Sequence, residues 1–252
     1  MARTDTLLNF LTDVAAAIRA KKGSSEAIFA ASFDTEIQNL PSGGSGSGDD
    51  TLEKLISRTI TSVTVPDSVT SVGSGAFYSC TNLNSVSLPN AITTIQQYAF
   101  FSCSALQNIT LPGALKIIGN NAFESCTKLT GITIPNSVTN IGAYAFATCS
   151  ALSSITLGSN LSYLGNKAFR NDTALTEITL PESLKTLSGC FTGCKNLKTV
   201  DCTASTSVIV LGATDCFQNC HADLQIKVPA ALLDSWKTAT NWATIADKIV
   251  GV

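Results

Sequence analysis

The chain has 252 residues and a net charge of −2, and only 13% of its residues are charged against 44% hydrophobic. Because nucleic-acid binding depends on clustered Lys and Arg, this nearly neutral composition without a basic block excludes nucleic acid as an expected partner. The length suffices for a large core, while nine Cys are too sparse for a disulfide scaffold.

The first predicted element is a small helical docking module over residues 1–40. Lys21 and Lys22 followed by Gly23 are typical of a helix C-terminus. A module this short cannot bury a core of its own, so its apolar stripe is expected to dock onto another surface. The Gly- and Ser-rich residues 41–50 predict a flexible linker. The docking stripe consists of Leu7, Leu8, Leu11, Val14 and Ile18.

The sequence carries no recognisable signal for export or membrane insertion. Asp5 and Asp13 interrupt the stretch in which a signal peptide would need an unbroken apolar run. No window of about 18 consecutive apolar residues predicts a membrane-spanning helix. We therefore expect a soluble chain that is made in a cytoplasm and does not insert into a membrane.

Residues 51–228 contain a repeat of 22–26 residues that is marked by Phe. A small residue, Ala or Cys, precedes each Phe, and a Cys follows three positions later in all units but one. The Phe positions are Phe77, Phe100, Phe123, Phe146, Phe169, Phe191 and Phe217. The positions three residues later hold Cys80, Cys103, Cys126, Cys149, Asp172, Cys194 and Cys220.

Each unit also contains an apolar–polar–apolar triplet, such as Val86–Ser87–Leu88, that predicts a short half-buried strand. One unit cannot bury its apolar face, whereas stacked units can. The pattern therefore predicts an α/β repeat fold, a curved solenoid of about eight coils with short parallel strands. A short helix over residues 50–58 would close one end. Residues 229–252, with Trp236 and Trp242, predict a helical cap at the other.

The pattern LxxItLPnsvtxIGxxAFxxC at a period of 23 residues resembles the leucine-rich repeats of the BspA-like (treponemal) family over roughly residues 59–228. This resemblance implies surface adhesins and binding proteins, not enzymes. Residues 17–40, AIRAKKGSSEAIFAASFDTEIQNL, resemble an N-terminal module of phage tail and other structural proteins. The second resemblance implies attachment to a virion instead of export.

The chain offers little for catalysis or cofactor binding. Its single His, His221, adjoins Cys220, but a nucleophilic Cys–His pair needs an orienting third group. Cys220 stands at the position three residues after Phe that is Cys in nearly every unit, here called the Cys column. Its position therefore needs no catalytic explanation. We predict no enzymatic activity, no catalytic residue and no cofactor.

The C-terminal cysteines leave alternatives open. Cys190, Cys194, Cys216 and Cys220 form two C-x3-C pairs in adjacent units, and four thiolates there could surround zinc. Disulfides between units are a further alternative. Cys194 and Cys220 stand three residues after a Phe, and Cys190 and Cys216 stand directly before one. A need for small buried residues at both positions explains them more simply, since free Cys acts as a small hydrophobe. We therefore predict no metal site and keep a zinc-dependent module as an alternative.

Asp172 is the exception in the Cys column. A carboxyl group at this position must bond to backbone N–H groups or reach solvent. We predict that Asp172 caps the local backbone and is not a ligand site.

The positions flanking the Ala-Phe pair point outward by elimination, and aromatic residues occupy several of them. Exposed aromatic side chains indicate a recognition surface, although packing between neighbouring units is the alternative. The Ser and Thr row of the strands is a second candidate surface. The predicted binding residues are Tyr78, Tyr98, Phe101 and Tyr144.

These observations predict a non-enzymatic structural protein of a phage virion. Residues 1–40 would dock to other virion proteins, and the solenoid would bind a host or environmental surface protein or glycan. A secreted or cell-surface bacterial adhesin is the alternative. A homo-oligomer is compatible with either prediction.

Overall fold

Short parallel strands dominate the computed structural model, which describes residues 58–65 and 67–252. The predicted docking module with its stripe, the linker, and all but the last residue of the helix predicted over 50–58 lie outside the described residues. Within the described part, no helix combines the length and apolar character that crossing a membrane requires.

One ladder, here called the long-strand ladder, is formed by strands that overlap the predicted triplets. Its last strand comes from residues 229–252, where the sequence predicts only a helical cap. All of its pairings are parallel: β1 with β3, β6 with β8, and β10, β12, β14 and β15 in that order. Its strands are β1 (Ser62–Thr64), β3 (Ser85–Ser87), β6 (Gly131–Thr133), β8 (Ser154–Thr156), β10 (Glu177–Thr179), β12 (Thr199–Asp201), β14 (Gln225–Val228) and β15 (Ile249–Gly251).

The short-strand ladder is formed by two-residue strands that precede each Ala-Phe turn. Five of its strands form one parallel sheet, and β11 pairs with β13 in a second sheet. Its strands are β2 (Ser71–Val72), β4 (Thr94–Ile95), β5 (Ile117–Ile118), β7 (Asn140–Ile141), β9 (Tyr163–Leu164), β11 (Thr186–Leu187) and β13 (Val210–Leu211).

The third triplet departs from the predicted pattern. Ile109 and Leu111 are buried as their alternation predicts, yet no strand forms there. The backbone bond from Thr130 N–H to Gln107 O, just before this triplet, is a long 3.3 Å. Side-chain packing therefore holds the predicted alternation where backbone pairing is weak.

A continuous stack of Phe rings runs through the core. Neighbouring rings lie 5.1–5.8 Å apart between centroids and within 2–12° of parallel, from Phe77 to Phe217. This spacing is close to the separation of paired strands, about 4.8 Å, so each repeat advances the chain by one strand. We number the coils by these Phe residues, from the first at Phe77 to the seventh at Phe217.

Two Trp residues end this ring stack. Trp242 lies 5.9 Å from Phe217, and Trp236 meets Trp242 edge-on at 4.8 Å. Both rings are fully buried, and Trp242 Nε1–H donates to Ile209 O at 2.6 Å. The segment contains helix α1 (Leu233–Thr238) and 3-10 helices at Ala230–Leu232 and Trp242–Lys248, after an earlier 3-10 turn at Thr214–Phe217.

Replacing Phe123 with Ala should lower the free energy of unfolding by about 3–5 kcal/mol, because it leaves a cavity inside the ring stack. Phe123→Leu should cost less, since it keeps most of the apolar volume. Urea denaturation followed by circular dichroism measures both values. A loss below about 1 kcal/mol for Phe123→Ala would contradict a stabilising role for the stack.

Candidate binding surface

Each coil turns sharply at its Ala-Phe pair. Successive backbone N–H groups there alternate between acceptors in the next coil and in the same coil. Phe100 N–H donates to Ala122 O in the next coil at 2.7 Å. Phe101 N–H instead donates to Tyr98 O within the same coil at 3.1 Å. The residue two positions before Phe takes a positive φ of 55–67° in the first six coils. These residues are Gly75, Tyr98, Asn121, Tyr144, Lys167 and Gly189.

Three members of this left-handed column are bulky, namely Lys167 and two Tyr residues. Gly and Asn tolerate positive φ, whereas in most other residues the Cβ atom comes too close to the following carbonyl oxygen, at a cost of about 1–2 kcal/mol. Tyr98 has φ 59° and Tyr144 has φ 55°. Surface residues that break a local rule without a packing benefit to the core point to function.

The first two coils bring three of the predicted binding residues together. Tyr78 stacks on Phe101 with centroids 4.7 Å apart and rings 15° from parallel. Tyr98 meets Phe101 edge-on at 5.8 Å and lies 6.3 Å from Tyr78. All three side chains are half-buried. We call Tyr78, Tyr98 and Phe101 the aromatic cluster.

Arg58 extends the aromatic cluster at the edge of the first coil. Its guanidinium carbon lies 5.9 Å from the Tyr78 ring centroid, a distance typical of a cation–π contact. Tyr144 lies apart, two coils along the column of Tyr98, with Asn121 between them. Among the described residues, it has no ring contact with the cluster.

The aromatic cluster presents ring faces and phenol groups, which suit it to binding. Its rings hold each other in place and are partly open to solvent, so they present apolar faces with little further loss of side-chain freedom. The two phenol groups can donate and accept hydrogen bonds. Within the described residues, no group of three or more His, Cys, Asp or Glu side chains could hold a metal ion.

The Cys column serves the core. The Cys103 thiol donates to Phe77 O at 3.0 Å, and Cys126 donates to Phe100 O at 3.2 Å, so each thiol links its coil to the preceding one. Burial raises the pKa of Cys80 and Cys126 to about 12. Because a thiolate is the reactive form, these protonated thiols are poor nucleophiles.

The four C-terminal cysteines separate into two pairs with different partners. Cys194 donates to Phe169 O at 2.9 Å and Cys220 to Phe191 O at 3.2 Å, as in the rest of the Cys column. Cys190 instead donates to Gly165 O at 3.6 Å, and burial raises the pKa of Cys216. All nine cysteines are free thiols.

The family model for the BspA type leucine rich repeat region matches in six copies, over residues 54–172 and 98–223. The chain belongs to the BspA-type leucine-rich repeat family. Proteins built from these repeats are typically non-enzymatic binding proteins, and this membership supports a role in protein interaction. Among curated proteins, none matches the chain significantly.

Solved structures of bacterial leucine-rich repeat proteins resemble this BspA-type chain. The leucine-rich repeat protein of T. pallidum is 28% identical over 75% of this chain and 82% of its own, with a TM-score of 0.56. A leucine-rich cell surface protein of Faecalibacterium prausnitzii is 23% identical over 79% and 66%, with a TM-score of 0.38. A Bacteroides ovatus leucine-rich repeat protein is 24% identical over 68% and 56%, also with a TM-score of 0.38.

Asp172 is the one exception in the Cys column of this BspA-type array. It is fully buried, and its Oδ1 accepts the Cys149 N–H at 2.8 Å, which is the backbone bond that the sequence predicts. Its Oδ2 has no partner in the described part of the chain. Burial raises the pKa of Asp172 well above its usual value. The carboxyl group therefore favours its neutral form in the folded chain.

Asp172→Asn should change how stability depends on pH. Between the low pKa of the unfolded chain and the raised pKa of the folded chain, only the folded state keeps the proton, so stability falls as pH rises. Asn cannot ionise, so the variant should be more stable than the wild type at about pH 8, with no such advantage at about pH 4. Urea midpoints at both values measure this, with the exposed Glu182→Gln as control. Parallel pH profiles for wild type and Asp172→Asn would contradict the account.

Proposed function

We propose that this chain is a non-enzymatic binding protein of the bacterial cell surface or extracellular space. Its aromatic cluster contacts a surface protein or glycan of a host or environment. The observation that carries this proposal is Tyr98, a bulky residue at a left-handed position, packed with Tyr78 and Phe101 where Gly or Asn would cost less.

The chemistry of the cluster favours a ligand recognised through shape and apolar contact. Tyr side chains are over-represented among residues that dominate binding energy, because they offer a large rigid area and a polar tip. The low charged fraction of the chain leaves little long-range steering. Short-range contact with the rings is therefore the main expected source of affinity, and display of many copies would raise weak binding.

A phage virion structural protein is the second candidate. It rests on residues 17–40, whose sequence resembles an N-terminal module of phage structural proteins. The binding role of the solenoid is the same in both candidates. They differ in the role of residues 1–40, which in the second candidate dock to other virion proteins.

The location of the chain separates the two candidates. Antibodies against the solenoid would be applied to intact cells of the strain that carries the gene and to phage particles induced from that strain. Labelling of intact cells supports the first candidate. Labelling confined to particles, lost when residues 1–48 are deleted, supports the second and contradicts the cell-surface proposal.

Tyr98→Asn should weaken ligand binding at least about tenfold, which corresponds to about 1.4 kcal/mol. Asn tolerates the left-handed backbone, so the variant should keep its fold while losing one of the three rings of the cluster. The full chain would be tested on a glycan array and on immobilised extracellular-matrix proteins. Surface plasmon resonance then compares the variant with the wild type on every positive surface.

Tyr144→Asn is the matched control, since it makes the same change in the same column without touching the aromatic cluster. Its affinity should stay within about twofold of the wild type, the scale of about 0.4 kcal/mol. Equal effects of both variants, or full binding by Tyr98→Asn, would overturn the cluster as the contact site. No binding on either panel would contradict the ligand class.

A further inference from the structure

The outward side chains of the short-strand ladder form a single row, here called the outer row. Among the described residues, four large hydrophobic side chains are exposed: Ile117 at 42%, Tyr163 at 50%, Val210 at 60%, and Val252 in the C-terminal segment at 62%. Three of these four lie in the outer row. From the first coil to the seventh, the row is Ser71, Thr94, Ile117, Asn140, Tyr163, Thr186 and Val210.

The apolar members of the outer row follow a regular spacing. Ile117, Tyr163 and Val210 occupy every second coil, about 10 Å apart. Polar residues, Asn140 and Thr186, occupy the coils between them. The order apolar, polar, apolar, polar, apolar is therefore the same in both directions, with Tyr163 at its centre.

The coils that carry the outer row are joined throughout. Parallel pairing runs from β2 to β9 and again from β11 to β13. Between the fifth and sixth coils, Lys167 N–H donates to Ser188 O at 3.2 Å, and the Phe169 and Phe191 rings stack at 5.8 Å. The row is therefore a fixed surface and not a set of independent loops.

Glycines beside the outer row allow the coils to stack closely. Gly119, Gly142 and Gly165 each lie two residues after a member of the row in the third, fourth and fifth coils. A Cβ atom at any of them would lie 2.3–2.5 Å from atoms of the preceding coil, so the close stacking of coils requires Gly. These glycines therefore set the close spacing of the coils that carry the outer row.

We propose that the outer row is the contact surface of a homodimer in which two copies pack antiparallel about a twofold axis at Tyr163. A twofold interface must be self-complementary, and the order of the row meets this requirement. Tyr163 meets Tyr163 of the partner subunit, and Ile117 meets Val210 of the partner subunit. Asn140 lies opposite Thr186 of the partner subunit, which allows a hydrogen bond between them.

The Lys residues beside the outer row are compatible with this twofold axis. Lys116 and Lys185 directly precede Ile117 and Thr186 in the third and sixth coils. The axis pairs the third coil with the seventh and the sixth with the fourth, so neither Lys faces a like charge. The fifth coil, which meets itself, carries neutral Ser162 and Tyr163 at these positions.

The proposed contact is small. The row from Ile117 to Val210 spans four coil steps, about 20 Å, and is narrow, so it is far smaller than the roughly 800 Å² per partner of a stable interface. We expect a dissociation constant on the order of 0.1 mM. Such a dimer forms where many copies are crowded at one surface, and it does not depend on the ligand proposed above.

Sedimentation equilibrium of the full chain from about 10 µM to about 1 mM tests the dimer, which should form over this range. Tyr163→Lys places like charges at the axis and should leave the protein monomeric throughout. Ser71→Lys introduces the same charge in the same row but outside the paired coils, so it should dimerise like the wild type. Circular dichroism confirms that each variant is folded.

A charge pair tests the antiparallel register. Ile117→Lys and Val210→Glu should each weaken the dimer, and the double variant should recover it, because the axis brings these two positions together across the interface. A monomeric wild type, an effect of Ser71→Lys equal to that of Tyr163→Lys, or no recovery in the double variant would overturn the proposal. An oligomer that survives Tyr163→Lys would place self-association elsewhere in the chain.

Discussion

The structure depends on one constraint: no coil completes its own backbone hydrogen bonds or its own core. Alternate N–H groups of each Ala-Phe turn, such as that of Phe100, find their acceptor only in the next coil. Each Phe ring likewise finds its stacking partners in the neighbouring coils. The array is therefore stable only as a stack, and the last ring, Phe217, needs Trp242 as a cover.

Because successive coils stack at one strand spacing, equivalent residues of the repeat form columns along the array. Inward-facing columns contain structural residues, and outward-facing columns contain the residues proposed to bind. Inside, Phe and Cys fill the same space in successive coils, so a buried thiol there links coils and does not react. Outside, the stack does not dictate the side chain, and departures carry information. Tyr98 breaks a backbone preference, and Tyr163 leaves apolar surface in water. These departures belong to the two proposed contact surfaces.

The sequence was sufficient for the period, the parallel strands and the structural role of the cysteines, because each recurs in register. It grouped Tyr144 with Tyr78 and Tyr98, although the two repeat periods between Tyr98 and Tyr144 already place Tyr144 two coil steps from the cluster. The outer row was not predicted because its residue type changes from coil to coil, whereas the Phe column repeats one residue type at about the same spacing. Aligning the residues that directly precede the buried Val, Ile or Leu of each short strand would have shown it. The missing strand near Ile109 depends on backbone distances that no residue pattern encodes.

The central claim is that the coils are equivalent units whose stacking sets the fold, while particular side chains on the surface of the stack provide binding. Deleting residues 124–146, one full 23-residue period, tests it most directly. Ring stacking would then pass from Phe123 to Phe169, and the aromatic cluster would stay intact. The account predicts one cooperative urea transition and unchanged ligand affinity, while deleting only residues 124–134 should unfold the chain because it breaks the register. Loss of folding in the full-period deletion would contradict the account.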